Sequence, residues 1–177
     1  MTDSRNAFIL APARAVIAAS AWINRLCRWL LVILGSAMFA VVLLQVICRY
    51  LFNNSLFWSE EAARMLLVQI TFLGAAVAYY GKFHIMVDIV VTRVRKPWRG
   101  ILNTAGLLVC AALFLAMLVY GRDFSQVLAL QRAASLPVNL AVPFVIIPAS
   151  GAIMLLHTLA MLLQEWLSLP GQPENRA

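Results

Sequence analysis

Four long stretches without an Asp, Glu, Lys or Arg dictate what this chain can fold into. Residues 29–48, 65–81, 100–121 and 133–164 contain 20, 17, 22 and 32 positions, each bounded by charged residues. A helix rises about 1.5 Å per residue, so about 20 residues cross a bilayer core of about 30 Å, with about 17 as the lower limit. The first three stretches each fit one span. The fourth is longer than one span needs. Ser135, Pro137 and Asn139 make its start a loop, the helix is expected to begin near Pro143, and Pro148 is expected to bend it. Composition points the same way. With 63% apolar and 12% charged residues, the chain lacks the polar surface to cover a water-soluble core. The expectation is an all-α integral membrane protein. A four-helix domain over residues 29–164, with spans at about 29–48, 65–81, 100–121 and 143–164, lies between an N-terminal segment, 1–28, and a tail, 165–177.

Aromatic placement tests that division independently. Trp22, Trp29, Tyr50, Trp58, Tyr79, Tyr80, Trp98, Tyr120 and Trp166 all fall at or near segment ends, where an amphipathic ring sits at headgroup level. Trp22, Trp29, Trp98 and Trp166 are expected as interface anchors. Ten of the 14 Lys and Arg residues fall in the N-terminal segment, the second loop and the tail. The richer side is cytoplasmic, which predicts both chain ends inside.

Two further segments have helical patterning. From Val16, apolar Ala19, Trp22, Ile23 and Leu26 alternate with Asn24, Arg25 and Arg28. A surface-lying helix and an extension of the first span both satisfy this pattern. The apolar run at residues 8–11 is too short for a cleavable signal. In the second loop, Asp88, Thr92 and Arg95 form a narrow polar stripe on a largely apolar stretch, 84–96. That suits an amphipathic interfacial helix between spans 2 and 3. An unpaired strand there would leave backbone groups unsatisfied.

Chemistry-bearing residues are few. The net charge of +7 is placed to set topology rather than to bind nucleic acid. Cys27, Cys48 and Cys110 are too far apart in sequence to suggest a metal or redox motif. Ion-coupled carriers normally place an ionised group inside a span, and this chain has none. Gln45, Gln69, Thr71, Asn103, Thr104 and His157 are the polar residues available in the spans, and each suits helix packing. His84 and His157 raise one alternative, a haem- or quinone-linked anchor subunit of a redox enzyme. Depth argues against it: His84 lies beyond the second span and His157 about 10 Å inside the fourth. No cofactor is expected.

Small residues at i, i+4 spacing permit close helix approach at Ser36 with Ala40, Gly74 with Ala78, and Ala112 with Ala116. The densest polar cluster is Trp58-Ser59-Glu60-Glu61-Ala62-Ala63-Arg64. Ser59 can cap the second span, with Glu60 and Glu61 at its positive dipole end and Arg64 within reach of both. Capping explains the residue types. Packing them so densely beside a Trp anchor fits contact with a partner as well.

From Arg49 to Asp88 the chain resembles the small membrane subunit (DctQ-type) of tripartite ATP-independent periplasmic (TRAP) transporters. The resemblance rests on Arg49 and Phe52, on Trp58-Ser59-Glu60-Glu61 with Arg64, on Phe72-Leu73-Gly74-Ala75, and on His84-Ile85-Met86-Val87-Asp88, in that order. Leu136-Pro137 and Pro148 with Gly151 are similar to the family's weaker C-terminal pattern. The resemblance implies a non-catalytic subunit in the bacterial inner membrane with no substrate site of its own. It would scaffold a large membrane subunit that takes up a carboxylate-bearing organic acid with sodium, delivered by a periplasmic substrate-binding protein. Trp58, Glu60, Glu61, Arg64, Gly74, His84 and Asp88 are the candidate partner-facing residues, with membrane lipids as the remaining contact.

Overall fold

A computed structural model describes the backbone of residues 3–54, 56–91 and 96–167, and the side chains of 12–54, 56–81, 102 and 104–164. The chain is a helical bundle: α1 (Asp3–Leu51), α2 (Phe57–Val91), α3 (Lys96–Leu128), a single turn α4 (Ala141–Phe144) and α5 (Ile146–Leu167). Four segments are long and apolar enough to cross a membrane: Pro12–Leu51, Phe57–Gly81, Thr104–Leu128 and Ala141–Gln164. Among the described residues, the only strand-like pairing is an isolated bridge between Arg132 and Asn139.

The N-terminal segment extends the first span. α1 runs unbroken for 49 residues, about 74 Å at 1.5 Å per residue. Its packing face differs from the one that apolar periodicity suggests. Ala13, Ser20, Asn24 and Cys27 are buried, whereas Trp22 and Leu26 are 66% and 46% exposed. In lipid the apolar face has no reason to turn inward, and helices meet through small and hydrogen-bonding residues. α1 ends at a left-handed Asn53 (φ 48°). There the Asn54 and Phe52 amides both reach Cys48 O, at 3.1 and 3.2 Å, the hydrogen bonds of a left-handed helix stop.

α2 starts at Phe57 and continues past the expected end of its span through the His84–Asp88 motif to Val91. The first part of the interfacial stretch is therefore backbone-continuous with span 2. Residues 92–95 lie outside those described.

α5 is the central helix, packed against α1, α2 and α3. Its most apolar window is 39% buried, against 0%, 11% and 17% for the other three spans. The apolar core is Ala76, Phe114 and Met154, with Tyr79 edge-on to Phe114 at 4.8 Å between ring centroids.

Two glycines set the α3–α5 spacing. A Cβ on Gly151 would stand 3.1 Å from both Leu118 N and Phe114 O, and one on Gly121 would stand 3.0–3.2 Å from Ile147 and Pro148. Gly74, from the expected small-residue pairs, meets only Leu31 Cδ1, at 3.7 Å.

The fourth span begins slightly before Pro143, at Ala141, and breaks at Val145. Pro148 explains the break. It has no N–H to give Phe144 O, four residues earlier. The Ser125 hydroxyl, which donates to Gly121 O at 2.8 Å, also lies 3.4 Å from that freed carbonyl.

Candidate functional site

The cluster that opens α2 divides into an inward and an outward part. Because the helix begins at Phe57, Ser59 sits inside the first turn rather than capping it. Its buried hydroxyl donates to Leu56 O at 2.7 Å. Glu61 reaches away from its own helix to the loop after α3. It accepts the Ala134 and Ser135 amides at 3.0 and 2.7 Å, together with the Ser135 hydroxyl. Two consecutive backbone N–H groups make a small anion-binding concavity, and Glu61 fills it.

That loop is tied across its neck. Ala133 N donates to Val138 O at 3.0 Å and Leu140 N to Gln131 O at 3.2 Å. The Asn139 amide donates to Ala129 O at 2.7 Å and accepts Ala141 N at 2.9 Å. Glu61 thereby anchors the Leu136-Pro137 tip to the start of α2.

Glu60 and Arg64 remain outside. They pair with each other at 3.3 Å, with side chains 75% and 74% exposed; Trp58, in the same turn, is 37% exposed. The structure thus leaves the Glu60–Arg64 pair accessible, with Trp58 exposed on another side of the same turn, and engages Glu61 internally. Gly74 lies two to three turns farther along α2, against α1. The side chains of His84, Asp88, Trp98 and Trp166 lie outside those described. Trp22 and Trp29 point outward from α1, both about two-thirds exposed.

A buried polar seam joins the helices at the other end of the bundle. Ser20 Oγ of α1 lies 2.7 Å from His157 Nδ1 of α5. Tyr80 of α2 meets the same imidazole edge-on, 4.9 Å between centroids. One residue along each helix, Thr158 spends its hydroxyl proton on Met154 O at 2.8 Å, so Tyr79 OH donates to Thr158 Oγ1 at 3.0 Å. Sequence patterning marked His157 as polar but gave no hint of Ser20, because a serine in an apolar helix carries no periodic signal.

The seam does not fit a haem. Nδ1 is taken by Ser20, and the space beside the ring is a cavity of about 20 Å³, which no porphyrin can enter. Among the described residues no three His, Cys, Asp or Glu side chains come together as metal ligands. A larger recess of about 490 Å³, between α3 and α5, is lined by Ala111, Leu118, Ala152, Leu155, Thr158 and Leu159 among others. A carboxylate placed there would lose its hydration and gain no cationic partner.

Residues 38–168 match the family model of tripartite ATP-independent periplasmic transporters, DctQ component. The chain belongs to this family. Two curated relatives, both from Haemophilus influenzae, support the assignment. One is "Sialic acid TRAP transporter permease protein SiaT", 35% identical over 95 residues, which are 53% of this chain and 15% of that protein. The other is "Putative TRAP transporter small permease protein", 30% identical over 82 residues, 46% of this chain and 51% of that protein. The matches thus span about half of one relative and a small part of the other. As a DctQ component the chain is a multi-pass membrane subunit of a transporter rather than an enzyme.

Proposed function

We propose that this DctQ component is a scaffold. It braces a large TRAP membrane subunit during sodium-driven uptake of a carboxylate-bearing organic acid, which a periplasmic substrate-binding protein delivers at the bacterial inner membrane. The observation that carries the reading is where polarity sits. The stretches 29–48, 65–81, 100–121 and 133–164 hold no Asp, Glu, Lys or Arg, and Ser20, His157, Tyr79 and Thr158 are engaged in helix-to-helix contacts. The recess that is large enough for a solute is apolar. Such a bundle offers packing surface and no route for an ion. The sialic acid named for one relative is a carboxylate, which supports that substrate class.

In this reading both chain ends are cytoplasmic, and Trp22, Trp29, Trp98 and Trp166 hold the bundle at headgroup level. The stretch 84–91, at the end of α2, reaches the headgroup level. The large subunit meets α2 through residues among Trp58, Glu60, Arg64, Gly74, His84 and Asp88, with Glu61 holding the start of the helix in place. Arg64→Glu tests the contact. Its pair with Glu60 is an exposed i, i+4 salt bridge, worth about 0.3–0.5 kcal/mol, so the variant should fold normally but co-purify poorly with the large subunit. Unchanged complex yield would remove this patch from the interface. Sodium-driven carboxylate uptake by vesicles containing this chain alone would refute the scaffold role itself.

A further inference from the structure

The polar seam contains an atom that its protein contacts do not satisfy. His157 is 1% exposed. Its Nδ1 is engaged by Ser20, but its Nε2 is fully buried and finds no protein partner. The same ring borders the cavity of about 20 Å³, whose wall is formed by Ile17, Ser20, Tyr80, Ala160, Met161 and Gln164. Three helices contribute to it: α1, α2 and α5.

One water molecule requires about 10–15 Å³ measured this way, and two to four polar partners. The cavity has the volume for one water and not for two. Besides His157, three of its lining residues carry polar side chains: Ser20, Tyr80 and Gln164. A metal ion is a poor alternative, since no carboxylate or thiolate joins His157 there among the described residues. An apolar occupant would leave Nε2 unsatisfied.

We propose that this cavity is a binding site for a single water molecule, held by His157 Nε2 and by polar groups of Tyr80 and Gln164, which completes the joint between the cytoplasmic part of α1 and α5. His157 then bonds on both ring nitrogens: to α1 directly through Ser20, and to α2 and the end of α5 through the water. The joint fixes the imidazole's orientation and its tautomer.

The chain has only two histidines, so the site can be read directly. The full chain, labelled with ¹⁵N-histidine and placed in lipid bilayers, is examined by water-edited solid-state NMR. A His84→Gln spectrum identifies which signals belong to His157. The expected result is a His157 Nε2 resonance shifted as for a hydrogen-bonded imidazole, receiving magnetisation from a water that exchanges slowly with bulk. In Tyr80→Phe that transfer should fall at least twofold, while the Nδ1 resonance, reporting the Ser20 contact, stays in place. The Nδ1 signal serves as the control for folding. An intact Nδ1 contact beside an Nε2 that receives no magnetisation from water would overturn the proposal, and so would a transfer unaffected by Tyr80→Phe.

Discussion

Gly151→Ala should separate α3 from α5, and the size of the effect follows from two distances. The added Cβ would stand 3.1 Å from Leu118 N and 3.1 Å from Phe114 O. Those atoms are four residues apart, the donor and acceptor positions of one backbone hydrogen bond in α3, and neither can rotate away as a side chain would. The helices must part by a few tenths of an ångström along their contact. Overpacking of this kind costs about 1–3 kcal/mol. Alanine itself favours the helix over glycine by about 0.5–1 kcal/mol, so the net loss is smaller than the clash. Gly35→Ala isolates the difference: nothing lies within 4 Å of a Cβ at Gly35, and only the helix preference acts there. The two variants should therefore differ by about 1–3 kcal/mol, with Gly35→Ala more stable than the parent; 1.4 kcal/mol is a tenfold change in the folded-to-unfolded ratio. Equilibrium unfolding in mixed micelles, followed by tryptophan fluorescence, measures both. If Gly151→Ala proved as stable as Gly35→Ala, the close approach of α3 and α5 at Gly151 would be wrong.

Other contacts make separable predictions. Glu61→Gln keeps the shape of the side chain but removes its charge, so amide exchange at Ala134 and Ser135 should quicken, whereas Glu60→Gln should leave those amides unchanged; mass-spectrometric hydrogen exchange on the loop decides between them. Ser20→Ala leaves His157 Nδ1 without its partner. Interhelical hydrogen bonds in membranes average about 0.6 kcal/mol with a maximum near 1.7, and a loss in that range is expected in the same unfolding assay, with no loss meaning that the Ser20–His157 contact does not form.

The number of spans was legible because a charge is costly to hide in hydrocarbon, so charged residues such as Arg28, Arg49, Lys82 and Arg99 separate four stretches long enough to cross. Helix orientation about its own axis was less legible. On α1 the Trp22–Leu26 ridge carries the periodic signal, yet Asn24 and Ser20 face inward, since periodicity measures apolarity and lipid offers no reward for burying it. The tight contacts were hidden for a related reason. Ser36 with Ala40 and Gly74 with Ala78 have the spacing of a close approach within one helix, but closeness depends on what the neighbour presents. Gly151 and Gly121 lie on different helices and meet a backbone and a proline ring that no single-segment pattern can reveal. The Trp58–Arg64 cluster was legible as a unit. Its division was not, because the donors to Glu61 are a pair of backbone amides more than 70 residues away, and amides carry no sequence identity.

These tertiary contacts bear on how the subunit could work. Ser20–His157 fastens α1 to α5, Tyr79–Thr158 fastens α2 to α5, and Gly151 and Gly121 seat α3 against α5. At the other end, Glu61 fastens α2 to the loop that leads into α4. Apart from the Glu61 tie, each of these contacts involves α5, so one helix fastens the other three spans. A carrier must reshape itself around its cargo, and a bundle fastened at both ends to one central helix resists that. What remains free is the outside: the outer face of α1 beyond Trp29, where Val32, Ile33, Phe39 and Tyr50 are all more than half exposed, and the Glu60–Arg64 pair. Bracing requires a stiff interior with its contact surfaces turned outward. If α1 instead exchanged its deuterium-labelled amides freely over residues 13–27 in the assembled transporter, the fastening at Ser20 would be too weak to make the bundle a brace.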